Sequence, residues 1–164
     1  MDLIVRNKIL YFENQKFPCS IGKNGLSSNK IEGDGCTPVG VFNFTEVFYR
    51  SDKIKKLDFK LNNSEIKENY GWCDDPESVN YNKLIHFPFS YSAERLHRSD
   101  NIYDLIFVIN YNLKPIIPNK GSAIFMHLAR DEKSDTQGCI ALHKQDLIYL
   151  AERINKKTKI IIEA

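Results

Sequence analysis

Gly121–Leu142 reads GSAIFMHLARDEKSDTQGCIAL, an apolar run, a polar run and a second apolar run. Ala123, Ile124, Phe125 and Met126 follow one another without a polar break, so Ser122–Leu128 is expected to be a strand covered on both faces. Arg130–Gln137 is almost wholly polar and is expected to be a surface loop. Gly138 permits close backbone approach, and Cys139 opens a second apolar run. A loop that leaves one strand and returns beside it brings Cys139 towards His127. A free thiol has a pKa of roughly 8.5 and is mostly protonated at neutral pH; an adjacent imidazole takes its proton or stabilises the thiolate. The N–H groups of Gly138 and Cys139 are candidate oxyanion donors, and one such donor is worth on the order of 3 kcal/mol. The competing reading makes Cys139 a buried apolar residue and His127 a satisfied core histidine.

Before this stretch, Asp2–Val5 and Ile9–Phe12 read as short strands joined by a tight turn at Asn7-Lys8, and Lys16–Ile21 as a third strand. EGDGCTPVG matches neither the P-loop nor the dinucleotide fingerprint; its glycines and Pro38 are expected to shape a turn into a long strand over Val41–Arg50. Ser51–Lys67 is polar with weak periodicity. Tyr70–Asn82 gathers Trp72, Asp74, Asp75 and Tyr81, either a loop packed by aromatics or the lining of a groove. Ser90–Arg98 suggests one or two helical turns with Ser92 as N-cap. Tyr103–Asn110 is a β-run expected to pair beside the Ser122 strand. Leu147, Leu150, Ala151 and Ile154 recur at helical spacing, predicting a helix over Gln145–Ile154, and Thr158–Ile162 closes the chain as a strand. His86, His97 and His143 are expected to be structural or exposed.

A chain of 164 residues is expected to form a single domain spanning 1–164 that buries roughly 70% of its unfolded surface. The formal charge of +2, without a large basic cluster, argues against a nucleic-acid partner. The four cysteines show no C-x-x-C, and no histidine pair has zinc-ligand spacing, so neither a metal site nor a cofactor is expected. No disulfide is expected either. The N-terminus does not read as a signal peptide, and no apolar run reaches the roughly 20 residues of a membrane span. Oligomeric state is open.

TQGCIAL preceded by GSAIFMH resembles the active-site segment of the L,D-transpeptidase catalytic domain (YkuD-type) family. Thr136 stands at the family's Ser/Thr position, Gly138 at its glycine, Cys139 at its nucleophile and His127 at its base. KIEGDGCTPVGVFNF, GWCDDPESVNYN and SAERLHRSDNIYDLIFVINYN resemble further blocks, from about Lys30 to the C-terminus. Two positions depart: Gln137 stands where many members have a second histidine, and Ala141-Leu142 where many have an arginine. The resemblance implies a mainly β fold, a curved sandwich or partly closed barrel with one C-terminal helix and short helical turns. It implies thioester chemistry on peptidoglycan stem peptides, hence cell wall biogenesis and cell shape, with Trp72, Asp75 and Tyr81 as substrate-binding candidates. His127 would need an orienting acceptor, a backbone carbonyl first and Asp131 or Asp135 second. The implied location is the periplasm or cell envelope, with the cytoplasm as alternative because no signal peptide is seen. Two other readings stand: an L,D-carboxypeptidase or amidase using the same pair with water, and a non-catalytic peptidoglycan-binding module.

Overall fold

Asn7 and Lys8 both hold positive φ, 52° and 59°, the backbone of a two-residue hairpin whose twist matches its flanking strands. They join β1 (Leu3–Arg6) to β2 (Ile9–Phe12), and β3 (Gln15–Ser20) pairs antiparallel to β2. The computed structural model describes residues 1–131 and 134–164. There follow β4 (Leu26–Ser27), β5 (Thr37–Pro38), β6 (Gly40–Tyr49), β7 (Asn63–Glu65), β8 (Tyr70–Cys73), β9 (Leu84–His86) and β10 (Ala93–Arg95). The chain ends with β11 (Leu105–Ile109), β12 (Phe125–Leu128), β13 (Ile140–Leu142), the helix α1 (Lys144–Ala151) and β14 (Lys159–Ile162).

The long sheet runs β11-β12-β13-β3-β2-β1-β14-β6 and closes on itself because β6 also pairs with β11; β7 is added at β6. The expected sandwich or partly closed barrel is thus a closed eight-stranded barrel. At this strand number the interior is just wide enough to be filled by side chains. Leu105, Phe107, Ile109, Met126, Leu128, Ile140 and Leu142 fill it, with α1 contributing Leu147 and Leu150.

Outside the barrel, β10-β8-β9 forms a small antiparallel sheet. A second core holds Ile106, Val108 and Phe125 from the barrel wall together with Trp72 from β8. This explains the unbroken apolar run of β11: alternate residues face two different cores, and all five are buried. β12 has the same construction, with Met126 and Leu128 inward and Phe125 outward.

Two local expectations are corrected. Ser90–Arg98 forms no helical turn: Ala93–Arg95 is a strand paired with β8, and Ser92 bonds Asp74 and Asp75 instead of capping a helix. Among the described residues α1 is the one helix, and it stops at Ala151, not Ile154. Ile154 stays fully buried at the start of the Asn155–Thr158 turn, so its apolar side chain serves the core without extending the helix.

Candidate active site

β12 and β13 lie parallel, with Met126 opposite Ile140 and His127 opposite Ala141. Cys139, one residue before β13, therefore falls level with Phe125. Alternation puts Cys139 on the outer face of the wall, where it packs in the second core with Phe125. His127 shares that face two residues further on, roughly 7 Å along the strand. Both line one cleft of about 550 Å³, together with Thr136, Gln137 and Gly138. The tertiary structure thus brings the predicted pair to one cleft. The polar loop between them is described except at 132 and 133.

The His127 Nδ1 lies 2.8 Å from the Leu128 carbonyl oxygen. A carbonyl can only accept, so Nδ1 carries the hydrogen and Nε2 keeps its lone pair. The orienting acceptor is a backbone carbonyl; Asp135 instead ion-pairs with Lys8, and Asp131 accepts from Ser134. The Tyr103 ring meets the imidazole edge-on, centroids 5.2 Å apart. Burial pushes the His127 pKa down to about 4, so the ring is neutral at pH 7.

The Cys139 thiol is not acidified at rest. Burial pushes the Cys139 thiol up to about 12, with the Glu94 carboxylate adding to the shift. The Sγ donates to the Ala123 carbonyl at 3.1 Å and accepts from Phe125 N–H at 3.4 Å. The resting site is a thiol beside a neutral imidazole, not an ion pair. Ala123 holds φ of +52°, an uncommon backbone for a residue with a Cβ. Asn82 holds it there: its Oδ1 accepts from Ala123 N–H at 3.0 Å and from Trp72 Nε1 at 2.9 Å, while its Nδ2 donates to Asn112 O.

The turn before Cys139 is clamped from two sides. Thr136 Oγ1 donates to Cys139 O and accepts from Gly138 N–H at 3.1 Å, so this N–H, expected to face an oxyanion, is committed to the turn. Thr37, fully buried, donates from its hydroxyl to Gly138 O at 2.8 Å and accepts from Gly22 N–H. A Cβ on Gly138 would lie 2.8 Å from Cys36 O. The Cys36-Thr37 step of EGDGCTPVG is therefore the mould against which the Gly138-Cys139 turn is pressed.

The groove candidates fare differently. Trp72 is 4% and Tyr81 2% exposed, and neither they nor Asp75 line the cleft. Trp72 packs edge-on against Phe125, which supports the site from behind. Asp75 accepts from Glu77 and Ser92 N–H, organising its own loop. Tyr81 donates to Glu32 and accepts from Gly121 N–H.

The charged residues that do line the cleft include Lys30, Glu32, Asp74, Glu94 and Arg98. Residue-level reading passed over Lys30, Glu32, Glu94 and Arg98, although all four stand inside the motif blocks. Lys30 is buried in an ion pair with Asp34 at 2.7 Å, its stem passing over Gly121 and its ammonium beside Gly138. No group of three or more His, Cys, Asp or Glu able to hold a metal ion occurs among the described residues.

A family model described as the L,D-transpeptidase catalytic domain (YkuD) matches residues 3–162. The chain belongs to this family. The L,D-transpeptidase match takes in every barrel strand, both strands of the Cys139–His127 face and the small sheet. No curated protein matches the chain. The family sets its chemistry among the transferases that work on peptidoglycan.

Proposed function

We propose that this protein is a cysteine-dependent L,D-transpeptidase that acts on peptidoglycan stem peptides through a thioester, with Cys139 as nucleophile and His127 as base. The observation that carries this reading is the shared outer face of β12 and the β13 entry, on which the thiol and the imidazole open into one cleft. The neutral ring, its free Nε2 and its Nδ1–H fixed on Leu128 O suit a general base.

The thiol leaves its hydrogen bond to Ala123 O as the donor peptide arrives, and Nε2 takes its proton as Sγ attacks the carbonyl. The carbonyl belongs to a diamino acid linked to a terminal D-residue. The oxyanion rests on the Cys139 N–H, since the Gly138 N–H is held by Thr136. As the C–N bond breaks, the imidazolium protonates the departing amine, leaving a thioester. An acceptor amine then resolves the thioester into a cross-link or an exchanged tail. Water in its place gives carboxypeptidase activity. The place of action is the cell envelope, where the substrate is.

A carbapenem should add its mass to the intact protein at Cys139, and Cys139→Ala should abolish the adduct. His127→Gln should slow adduct formation at pH 7 by at least a hundredfold, the scale of lost general-base catalysis. Equal labelling of wild type and Cys139→Ala overturns the reading, and so does a peptidoglycan-binding signal without any adduct.

A further inference from the structure

Glu94 has no part in forming the thioester, yet the fold directs it at the site. In the small sheet Glu94 stands directly opposite Trp72, and directly paired residues point to the same side. Trp72 is buried against Phe125 of the barrel wall, so Glu94 faces that wall too. One carboxylate oxygen accepts from the Tyr103 hydroxyl at 2.7 Å, and the Tyr103 ring is the one packed on His127. Glu94 also lines the cleft that Cys139 and His127 line. Among the described residues it makes no ion pair: Arg98 is engaged by Asp100 at 2.5 Å and Lys30 by Asp34 at 2.7 Å. Glu32, lining the same cleft, makes none either; its Oε1 accepts from Tyr81 and Ser122 hydroxyls. Among the described residues, then, Glu32 and Glu94 have no cation bonded to them, while the basic Lys30 and Arg98 are already paired.

We infer that Glu94 is the anchor and proton acceptor for the ammonium group of the acyl acceptor, and so directs the thioester to an amine in preference to water. This rests on the transpeptidase reading above. The groups facing Glu94 are Tyr103 from the segment before β11, Arg98 after β10, Asp74 after β8, Glu32 of the loop before β5 and Cys139 before β13. Burial raises the Glu94 pKa, which suits a carboxylate that must take a proton from an ammonium. The acceptor ammonium gives one proton to Glu94 and becomes a free amine, which attacks the thioester carbonyl and forms the C–N bond. Its second proton passes through His127 Nε2 to the departing Sγ as the C–S bond breaks. An amide, a neutral thiol and a protonated Glu94 result, and Glu94 then releases its proton to solvent.

The role has a signature of opposite signs. Glu94 now makes the thiolate harder to form, so Glu94→Gln should acylate with a carbapenem at pH 7 at least as fast as wild type. With a stem tetrapeptide donor and a tripeptide acceptor bearing a free side-chain amine, the same variant should show an acceptor KM raised at least tenfold and a product mixture shifted to hydrolysis. Tyr103→Phe, which unties the carboxylate, should shift the same ratio by a smaller factor and provides the readout if Glu94→Gln does not fold. Acylation and aminolysis falling together in both variants would mean a structural role and overturn the inference, as would an acceptor KM within threefold of wild type. A wild-type protein that forms no carbapenem adduct overturns the transpeptidase reading itself, and this inference with it.

Discussion

At Gly138 the backbone runs at φ +143°, and a Cβ would meet the Cys36 carbonyl at 2.8 Å. The clashing atom belongs to the backbone and not to the end of a flexible side chain, so the turn itself must move to admit one. Gly138→Ala is expected to cost about 1–3 kcal/mol in urea unfolding, the usual range for a forced backbone conformation, and to slow carbapenem adduct formation more than tenfold. His127 permits a pH prediction of definite sign. Its folded pKa of about 4 lies below the ordinary 6.5, so between these values the unfolded chain binds a proton that the folded chain refuses. Stability is therefore fully present above pH 6.5 and declines as pH falls towards 4, by about 3 kcal/mol for this group. Urea midpoints at pH 7, 5.5 and 4 should show a steeper decline for wild type than for His127→Gln.

Elements matter through what they press against one another. β5 carries Thr37 against the turn before Cys139, where its hydroxyl serves Gly138 O and Gly22 N–H together. Thr37→Val keeps the shape and strands both buried groups, for a loss of about 1–3 kcal/mol. Because Gly138 precedes Cys139 directly, the variant should also alkylate with an altered rate, which iodoacetamide kinetics would read. From sequence the glycine-rich block reads as a turn into a long strand, and its clamp on Gly138 is illegible there because Thr37 and Gly138 lie 101 positions apart. β10 was misread altogether: Ala93, Glu94 and Leu96 carry good helix propensity, but pairing with β8 outweighs it. β11 and the β12–β13 crossing were legible because a strand between two cores must be apolar at every position.

On the scale of the molecule, the β6–β11 pairing closes the barrel, and β14 carries the wall from β1 to β6. β14 pairs parallel with β1 and antiparallel with β6, so one C-terminal strand seals the wall. Ile160, fully buried, sits on that seam. Ile160→Ala is expected to cost about 2–5 kcal/mol, read from urea unfolding, with no new intermediate if the barrel opens as a unit. No helix among the described residues is long and apolar enough to cross a membrane.

The amino-acid order by itself determined the β character, the C-terminal helix, the apolar double-faced strands and the cysteine–histidine pair within its family blocks. These follow from local rules: periodicity, turn chemistry and motif spacing act over a few residues. Only the tertiary structure decided that the barrel closes, that Trp72 and Tyr81 support the cleft from behind, and that Glu94 and Cys139 line the same cleft. It also decided that the resting pair is neutral. Protonation depends on how much water a fold removes and which distant charges it brings near, and both are set by contacts between segments far apart in the chain.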